Sequence, residues 1–209
     1  MNAVIISVAV LFFLLFLYLL KQSKKPTGLV GIWMMKIWNQ VYFLMVEWAI
    51  SQLEQQNVKN ILDVGIGNGQ STLYLKQYFP NSKVVGIDIS KTAITQAKKW
   101  NIADLNFELK DVGQTTYSAE SFDLITAFQT HFHWPDLSRA FSELRRILRR
   151  DGLILLACEW SKLTYFQPEL KKEEEFAAFL NNKGLKLVSS QRKNQWILYK
   201  IVKKPEGVI

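Results

Sequence analysis

The chain has one cysteine and two histidines among its 209 residues, and both shortages exclude something. A single cysteine, Cys158, cannot form an intrachain disulfide, which agrees with a reducing compartment. It stands in the apolar run GLILLACEW, where a free cysteine is usually a small core residue. No cysteine or acid completes a convincing ligand set around the histidines, His131 and His133, so we expect no metal site.

Acidic residues are also scarce, since 18 of them face 26 basic residues and give a net charge of +8. This balance is compatible with nucleic acid, an anionic membrane surface or a soluble face. No acid precedes Glu47, and the block AVIISVAVLFFLLFLYLL, Ala3–Leu20, contains no charge. At a helical rise of 1.5 Å per residue the block is roughly 27 Å long, just enough to cross the core of a bilayer.

Three interpretations of this block compete: a cleaved signal peptide, a buried core helix and a membrane anchor. A signal peptide would have basic residues before its apolar core and small residues at a cleavage site, and the block has neither. We therefore expect a transmembrane anchor over residues 1–20. The lysines that follow predict a single-pass protein of the cell membrane, with its amino terminus outside and its body in the cytoplasm.

Residues 21–59 are expected to form a basic linker and a lead helix. Pro26 and Gly28 mark the linker, and the segment LVGIWMMKIWNQVYFLMVEWAISQLEQQ has the pattern of a long amphipathic helix. Polar residues interrupt this segment too often for a second span. It lies either in the membrane interface, which suits its tryptophans, or against the domain, and the sequence leaves both open.

Short apolar runs alternate with helical patterns over residues 60–209, which we expect to form one domain. The predicted strands are Ile61–Val64, Lys83–Ile87, Asn106–Leu109, Phe122–Thr126 and Leu153–Ala157. The predicted helices between them are Ser71–Phe79, Lys91–Trp100 and Asp136–Arg149. This alternation is typical of a parallel sheet with crossover helices. The last two apolar runs, LKLVSSQ and QWILYKIV, predict a closing hairpin.

A glycine-rich turn, DVGIGNG, follows the first predicted strand. Glycines at such a turn allow a ligand to contact backbone amides at the start of the next helix. A dinucleotide-binding loop would have glycine or alanine three residues after Gly67, where this chain has Gln70. The strands that follow end at Asp88 and Asp111, where carboxylates can accept hydrogen bonds from a ribose and from an adenine amino group.

With these residues in register, positions 60–157 resemble the core of the class I S-adenosylmethionine-dependent methyltransferases, whose turn reads DxGxGxG. The resemblance extends over about residues 28–204. It implies an α/β, Rossmann-like sheet of seven mostly parallel strands with an antiparallel last strand, and S-adenosyl-L-methionine as cofactor. The chain departs from the family at LRRILRRDG, where Arg149–Asp151 replace Lys-Pro-Gly and only Gly152 is retained.

Carried over by position, the resemblance implies that Gly65, Gly67 and Gly69 face the methionine part of the cofactor. Asp63 would orient this loop or receive the ammonium group. The region of Ala127, after the fourth strand, would close over the methionine end.

The resemblance also assigns the nucleoside end of the cofactor. Asp88 would hold the ribose, with Ile89 against the adenine. Asp111 would accept from the adenine amino group, with Val112 beside it.

The segment TAFQTHFHWPDLSRAFSELRRIL is similar to a group of small bacterial methyltransferases, which implies a small-molecule acceptor. The expected anchor suggests that the acceptor is lipid-like. His131 and His133 are the candidate general bases, needed only if the acceptor loses a proton near the transition state. Phe128, Phe132 and Trp134 are expected to shape an apolar acceptor pocket.

Three other functions remain alternatives. A non-catalytic scaffold or sensor would keep the cofactor site without transfer. A nucleic-acid methyltransferase is disfavoured because AFQTHFHW stands where amino-methylating enzymes carry [DNS]-P-P-[YFW], and we expect no nucleic-acid partner. A nicotinamide-dependent oxidoreductase is disfavoured by Gln70 and by the closing hairpin.

Overall fold

Seven strands form one mixed sheet in the order β3-β2-β1-β4-β5-β7-β6 in the computed structural model, which describes residues 2–53 and 57–205. All neighbouring pairs from β3 to β5 are parallel, whereas β7 is antiparallel to both β5 and β6. The strands are β1 Asn60–Val64, β2 Lys83–Asp88, β3 Leu105–Leu109, β4 Phe122–Phe128, β5 Leu148–Glu159, β6 Leu185–Lys193 and β7 Trp196–Lys203. The seven-stranded sheet with its antiparallel β7 confirms the predicted α/β architecture.

The helices are α1 Asn2–Lys24, α2 Gly28–Ser51, α3 Gln70–Tyr78, α4 Lys91–Ala97, α5 Leu137–Ile147, α6 Trp160–Phe166 and α7 Glu173–Asn182. Those after α1 cover both faces of the sheet. One core joins apolar residues of α5 and α7 to the sheet, and a second core joins α2, α3 and α4 to its other face. The central strands are buried on both sides, which explains their nearly continuous apolar sequences.

Helix α2 belongs to the domain over its second half. Met45, Ala49 and Ile50 are fully buried in the core with α3 and α4. Its first half is different, since Leu29 and Trp33 are exposed. The lead segment therefore packs on the domain at one end and presents apolar residues to the outside at the other. Residues 54–56, the end of the predicted lead helix, lie outside the described part of the chain.

Two helices are long and apolar enough to cross a membrane. They cover Val4–Lys24, with a mean hydropathy of 2.7, and Gly28–Ser51, with a mean hydropathy of 1.3. The most apolar part of the first is not buried at all, whereas 28% of the second is buried in the domain. The two helices are candidate spans by length and composition only, and a signal sequence or the core helix of a soluble protein has the same properties.

Several element boundaries differ from the sequence-based prediction. Helix α1 continues to Lys24, beyond the predicted anchor. Helix α5 ends at Ile147, because Leu148 pairs with Phe122 and begins β5 before the expected position. The next residue, Arg149, forms an ion pair of 3.3 Å with Asp123. Arg149 therefore belongs to β5 and not to the predicted helix.

Candidate active site

The carboxyl ends of β1 to β4 border a cavity of about 510 Å³ that the helices α1, α2 and α6 close from the other side. Strand order places the loops after β1, β2 and β3 on one side and those after β4 and β5 on the other. In open α/β sheets this edge is where ligands bind. The cavity therefore has two halves, one for each group of loops.

The glycine turn after β1 adopts the left-handed backbone that glycine favours, with φ of +74° at Gly65, +56° at Gly67 and +82° at Gly69. A Cβ at Gly65 would lie 2.1 Å from the Thr130 hydroxyl oxygen, so any larger residue would displace that side chain. Gly65 and Gly67 line the cavity. Gly69 lies outside the lining, because it caps the start of α3 and packs against Ala97, and its place at the cofactor stays a prediction.

Asp88 ends β2 and points its carboxylate into the cavity edge. One oxygen accepts from the Gly67 amide at 3.0 Å, and the other accepts from the Ser90 amide at 2.8 Å. Each oxygen keeps further acceptor capacity, as a ribose diol requires. Burial raises the pKa of Asp88, while the amide donors act in the opposite direction. The carboxylate is thus held by the same loop whose glycines line the cavity.

Asp63 lies under the glycine turn and not in the cavity. It is 1% exposed and accepts from three hydroxyls, those of Ser71 at 2.7 Å, Thr72 at 2.9 Å and Thr126 at 2.8 Å. Burial raises its pKa to about 6 against the opposing effect of these hydroxyls. Asp63 therefore ties β1 to α3 and β4, and of its two expected roles the structure provides the orientation of the loop.

Asp111 and Val112 follow β3 and line the cavity, as Ile89 does after β2. The Asp111 carboxylate accepts from the Gly113 amide at 2.7 Å and begins a short 3-10 turn. Val112 is buried beneath it, whereas Ile89 is partly exposed. An adenine between Ile89 and Val112 would find an acceptor at Asp111.

Ala127 is fully buried within β4 and does not line the cavity. The residues that do are the next three, Phe128, Gln129 and Thr130. The expectation placed the closing residue one position too early because β4 extends to Phe128. Gln129 has φ of +58°, a conformation that is uncommon for a side chain other than glycine.

The two histidines are separated by the fold. His131 is 2% exposed, outside the cavity, and its Nε2 lies 3.8 Å from the Cys158 sulfur. Burial, followed by repulsion from His133, lowers its pKa to about 3. The fold therefore does not bring His131 to the cavity, and its role as a base stays an untested prediction.

His133 lines the cavity. Burial lowers its pKa to about 4, and the charges of Lys24 and Lys162 act in the same direction. The ring is therefore neutral at neutral pH, but its low pKa makes it a weak proton acceptor. Lys24 and Lys162 place positive charge in this part of the cavity.

The aromatic residues after β4 divide in a similar way. Phe128 and Trp134 line the cavity, whereas Phe132 belongs to the core, where it stacks on Phe166 at 5.6 Å between ring centroids. Phe166, from α6, takes the place at the cavity that was expected of Phe132.

The remaining wall of the cavity comes from residues that the sequence patterns did not indicate. Apolar positions of α1 contribute to it, namely Phe16, Leu19 and Leu20. Trp38 and Tyr42 of α2 and Lys162 of α6 complete it. Tyr42 and Lys162 are 120 positions apart in the chain, so no local spacing connects them.

Metal ligation finds no support in the described residues, which contain no group of three or more histidine, cysteine, aspartate or glutamate side chains placed to hold an ion. Cys158 is buried, and burial raises the pKa of its thiol. It is a core residue, as expected.

The sheet order, the glycine turn and the acids after β2 and β3 define a Rossmann-like domain that binds an adenosine-containing cofactor. Residues 62–156 match the family described as "Methyltransferase domain". This match and the similar proteins support a class I S-adenosylmethionine-dependent methyltransferase domain, with S-adenosylmethionine as its cofactor.

Two curated relatives illustrate the family. An uncharacterized methyltransferase of Bacillus subtilis is 26% identical over 142 residues, which is 66% of this chain and 51% of that protein. A malonyl-[acyl-carrier protein] O-methyltransferase of Ilyobacter polytropus is 32% identical over 149 residues, or 63% of this chain and 54% of that one. The chain thus spans about half the length of these relatives.

A solved structure shows the same fold. The S-adenosylmethionine-dependent methyltransferase of Aquifex aeolicus superposes with a TM-score of 0.68 at 15% identity, over 81% of this chain and 97% of the other.

Proposed function

We propose that this chain is a methyltransferase that transfers the methyl group of S-adenosylmethionine to a small, lipid-like acceptor at the cytoplasmic face of a membrane. One observation carries the proposal. The cavity that begins at the cofactor residues is continuous with a wall made by the apolar helix α1.

The cofactor half of the cavity offers the hydrogen-bond acceptors that S-adenosylmethionine needs. Asp88 and Asp111 offer carboxylates where a ribose and an adenine amino group need acceptors, and the bare backbone of Gly65 and Gly67 leaves space beside them. When bound, the cofactor supplies an electrophilic methyl group. The chain's part is to hold the two reactants in line, which by itself lowers the barrier considerably.

The acceptor half is predominantly apolar. Phe16, Leu19 and Leu20 form its outer wall, and they belong to the same helix whose residues 4–18 present large exposed apolar side chains. In water, exposed apolar surface of this extent is unfavourable, and in a bilayer it is not. An acceptor dissolved in the membrane would reach the cavity along α1.

The charges near the membrane end support the orientation. Lys21, Lys24 and Lys25 end α1 and are exposed, as anionic lipid headgroups on a cytoplasmic leaflet would favour.

The name of the Ilyobacter relative supports the acceptor class only in outline. It describes an O-methyltransferase that acts on malonyl-[acyl-carrier protein], a small acyl group on a carrier. Acceptors of that size are compatible with a cavity of about 510 Å³ that must also hold the cofactor.

The proposal is tested with the full chain in lipid nanodiscs. Calorimetry should show binding of S-adenosylmethionine and S-adenosylhomocysteine, and Asp88→Asn should weaken it by about 10- to 100-fold because a hydrogen bond to a charged group is lost. The exposed substitution Asp104→Asn should leave it unchanged. Incubation with a methyl-labelled cofactor and a host lipid extract should then place label in the lipid fraction.

Each result separates the alternatives. Cofactor binding with no label in any fraction would support a scaffold or sensor. Label in nucleic acid and not in lipid would contradict the acceptor class, and binding of NAD in place of S-adenosylmethionine would contradict the proposal as a whole.

A further inference from the structure

A cluster of polar side chains lies in the otherwise apolar acceptor half of the cavity. Lys162 of α6 donates to the Tyr42 oxygen at 2.6 Å, and Tyr42 of α2 donates to a Glu159 carboxylate oxygen at 2.8 Å. Lys162 is also 3.4 Å from Glu159, at the end of β5. Three separate elements thus bring an ammonium, a phenol and a carboxylate into one hydrogen-bonded group.

The cluster stands on the acceptor side of the sheet edge. Tyr42, Lys162 and Gln129 line the cavity, while Glu159 lies behind them and is half-buried. Gln129 follows β4 directly, and its side-chain oxygen accepts from the Glu159 amide at 3.1 Å. The cofactor residues follow β1, β2 and β3, so an acceptor held between the two groups would lie beside Tyr42.

Gln129 has a backbone conformation that costs energy. A residue other than glycine with φ of +58° is strained and is kept there by its surroundings. The side-chain nitrogen of Gln129 also lies 3.5 Å from the Glu159 carboxylate oxygen that accepts from Tyr42. Such positions cluster at functional sites.

We propose that Tyr42 takes the hydroxyl proton of the acceptor while it passes its own proton to Glu159, and that the acceptor is a lipophilic molecule with an acidic hydroxyl group, of the phenol class. The inference rests on the proposed function. The new bond joins the acceptor oxygen to the methyl carbon supplied by the cofactor, the carbon–sulfur bond breaks with its electron pair passing to sulfur, and the acceptor proton moves to the Tyr42 oxygen.

The hydrogen-bonding capacity of the Tyr42 hydroxyl allows it to take the acceptor proton. Its hydroxyl gives its one proton to Glu159 and accepts one hydrogen bond from Lys162, which leaves a lone pair of the oxygen for the acceptor. Lys162 stabilises negative charge on this oxygen and on the acceptor. The acceptor proton therefore moves to Tyr42, and the proton of Tyr42 moves to Glu159, behind the cavity wall.

The electrostatic field selects a hydroxyl over an amine. Methylation of a neutral amine builds positive charge, which the ammonium groups of Lys24 and Lys162 oppose, whereas loss of a phenol proton builds negative charge, which they favour. Burial lowers the pKa of His133, and the same two charges act in the same direction. His133 is thereby a wall residue of the acceptor site, and the proton goes to Tyr42.

The test uses the full chain in nanodiscs with two acceptors, 4-octylphenol and 4-octyl-2-nitrophenol, and with octylamine as the competing class. Tyr42→Phe keeps the ring that stacks on Trp38 but removes the oxygen. It should lower methyl transfer to octylphenol by about 100-fold or more, in the range of general-base catalysis. Affinity for S-adenosylhomocysteine should stay within about twofold.

The nitrophenol separates catalysis from packing. Above its own pKa it is already ionised and needs no base, so Tyr42→Phe should lose less than about tenfold on it at high pH. Tyr78→Phe on α3, outside the cavity, is the matched control and should change neither rate. Without cofactor, the absorbance of bound nitrophenol should show a lowered pKa, and Lys162→Met should return it to the value in protein-free lipid.

The possible failures are distinct. Equal losses on both phenols at every pH, no loss, or a preference for octylamine would overturn the inference. If the wild-type chain binds S-adenosylhomocysteine and labels lipid but methylates neither phenol, the inference falls while the proposed function stands. If it binds no S-adenosylhomocysteine, the proposed function itself fails.

Discussion

At the residue scale, the glycine turn shows two glycines with the same backbone region and different surroundings. Both Gly65 and Gly67 have positive φ, so alanine at either position costs about 1–2 kcal/mol of conformational strain. At Gly65 the new Cβ would also lie 2.1 Å from the Thr130 hydroxyl oxygen, whereas at Gly67 the nearest atom is the Met35 sulfur at 3.8 Å.

We therefore expect Gly65→Ala to lower the free energy of unfolding by about 1–3 kcal/mol more than Gly67→Ala does, because overpacking adds to strain. Urea unfolding of both variants measures the difference. Equal stabilities would mean that Thr130 moves aside without cost and that the turn is not closely packed.

Asp63 gives a prediction about pH. Its pKa is raised from 3.8 to about 6 chiefly by burial, so between these values the folded state binds more protons than the unfolded state. Stability must then fall as pH rises through this window, by about 3 kcal/mol for a shift of this size. Above about pH 6 the loss is complete.

The difference in unfolding free energy between the wild type and Asp63→Asn, followed from pH 4 to pH 7, isolates this contribution. We expect the wild type to lose stability relative to the variant as pH rises. A flat difference would show that Asp63 titrates normally in the folded chain.

The residue scale also shows where sequence reasoning succeeds and where it fails. Asp88, Asp111 and their neighbours were predictable because each stands at a strand end, and parallel strands bring their carboxyl ends to one edge. Ala127 lies just before the residues that line the cavity because β4 extends to Phe128. His131 lies outside the cavity, and nothing in QTHFHWP tells which of two alternate residues faces the core.

At the scale of elements, the α1–α2 hairpin is held by a buried glutamine. Gln22 is 3% exposed, donates to the Tyr18 and Thr27 hydroxyls at 2.9 and 2.8 Å, and accepts from the Thr27 amide at 2.7 Å. The turn also carries Pro26, whose carbonyl accepts from the Ser90 hydroxyl beside the cofactor site. The hairpin is thereby fastened to the domain at the place where α1 joins the cavity wall.

Gly31 allows this close approach. A Cβ there would lie 2.8 Å from the Pro26 carbonyl carbon, so Gly31→Ala should push the turn away from α2. We expect hydrogen exchange of the Thr27 amide to accelerate by about tenfold or more, since a loss of about 1.4 kcal/mol in local stability corresponds to tenfold. An unchanged exchange rate in Gly31→Ala would show that the turn does not depend on this close approach.

Elements also explain why the acceptor side was not predictable. The strands and helices of the core follow from apolar periodicity, which depends on near neighbours. The acceptor wall joins α1, α2 and α6 to the ends of β4 and β5, and its key pair is 120 positions apart. The lead segment was predicted as a helix with two possible placements, and only packing shows that its second half enters the core.

At the scale of the whole molecule, the arrangement of apolar surface predicts how the protein lies on a membrane. The exposed face of the first half of α2 carries Leu29 and Trp33, next to the exposed helix α1. Trp48, on the second half, packs instead on Trp196, with ring centroids 6.1 Å apart. If α1 spans the bilayer, the first half of α2 should lie in the interface, and the rest of the domain should not.

Fluorescence quenching by lipids brominated along their acyl chains tests this placement. Trp33 is 63% exposed, and we expect it to contribute a quenched component that Trp33→Phe removes. Trp100 is the control, because its indole donates to the Asn68 carbonyl at 3.1 Å on the domain, and Trp100→Phe should leave the quenched component intact. If the two substitutions have the same effect, α2 does not contact the membrane, and an acceptor in the bilayer would have to reach the cavity along α1 alone.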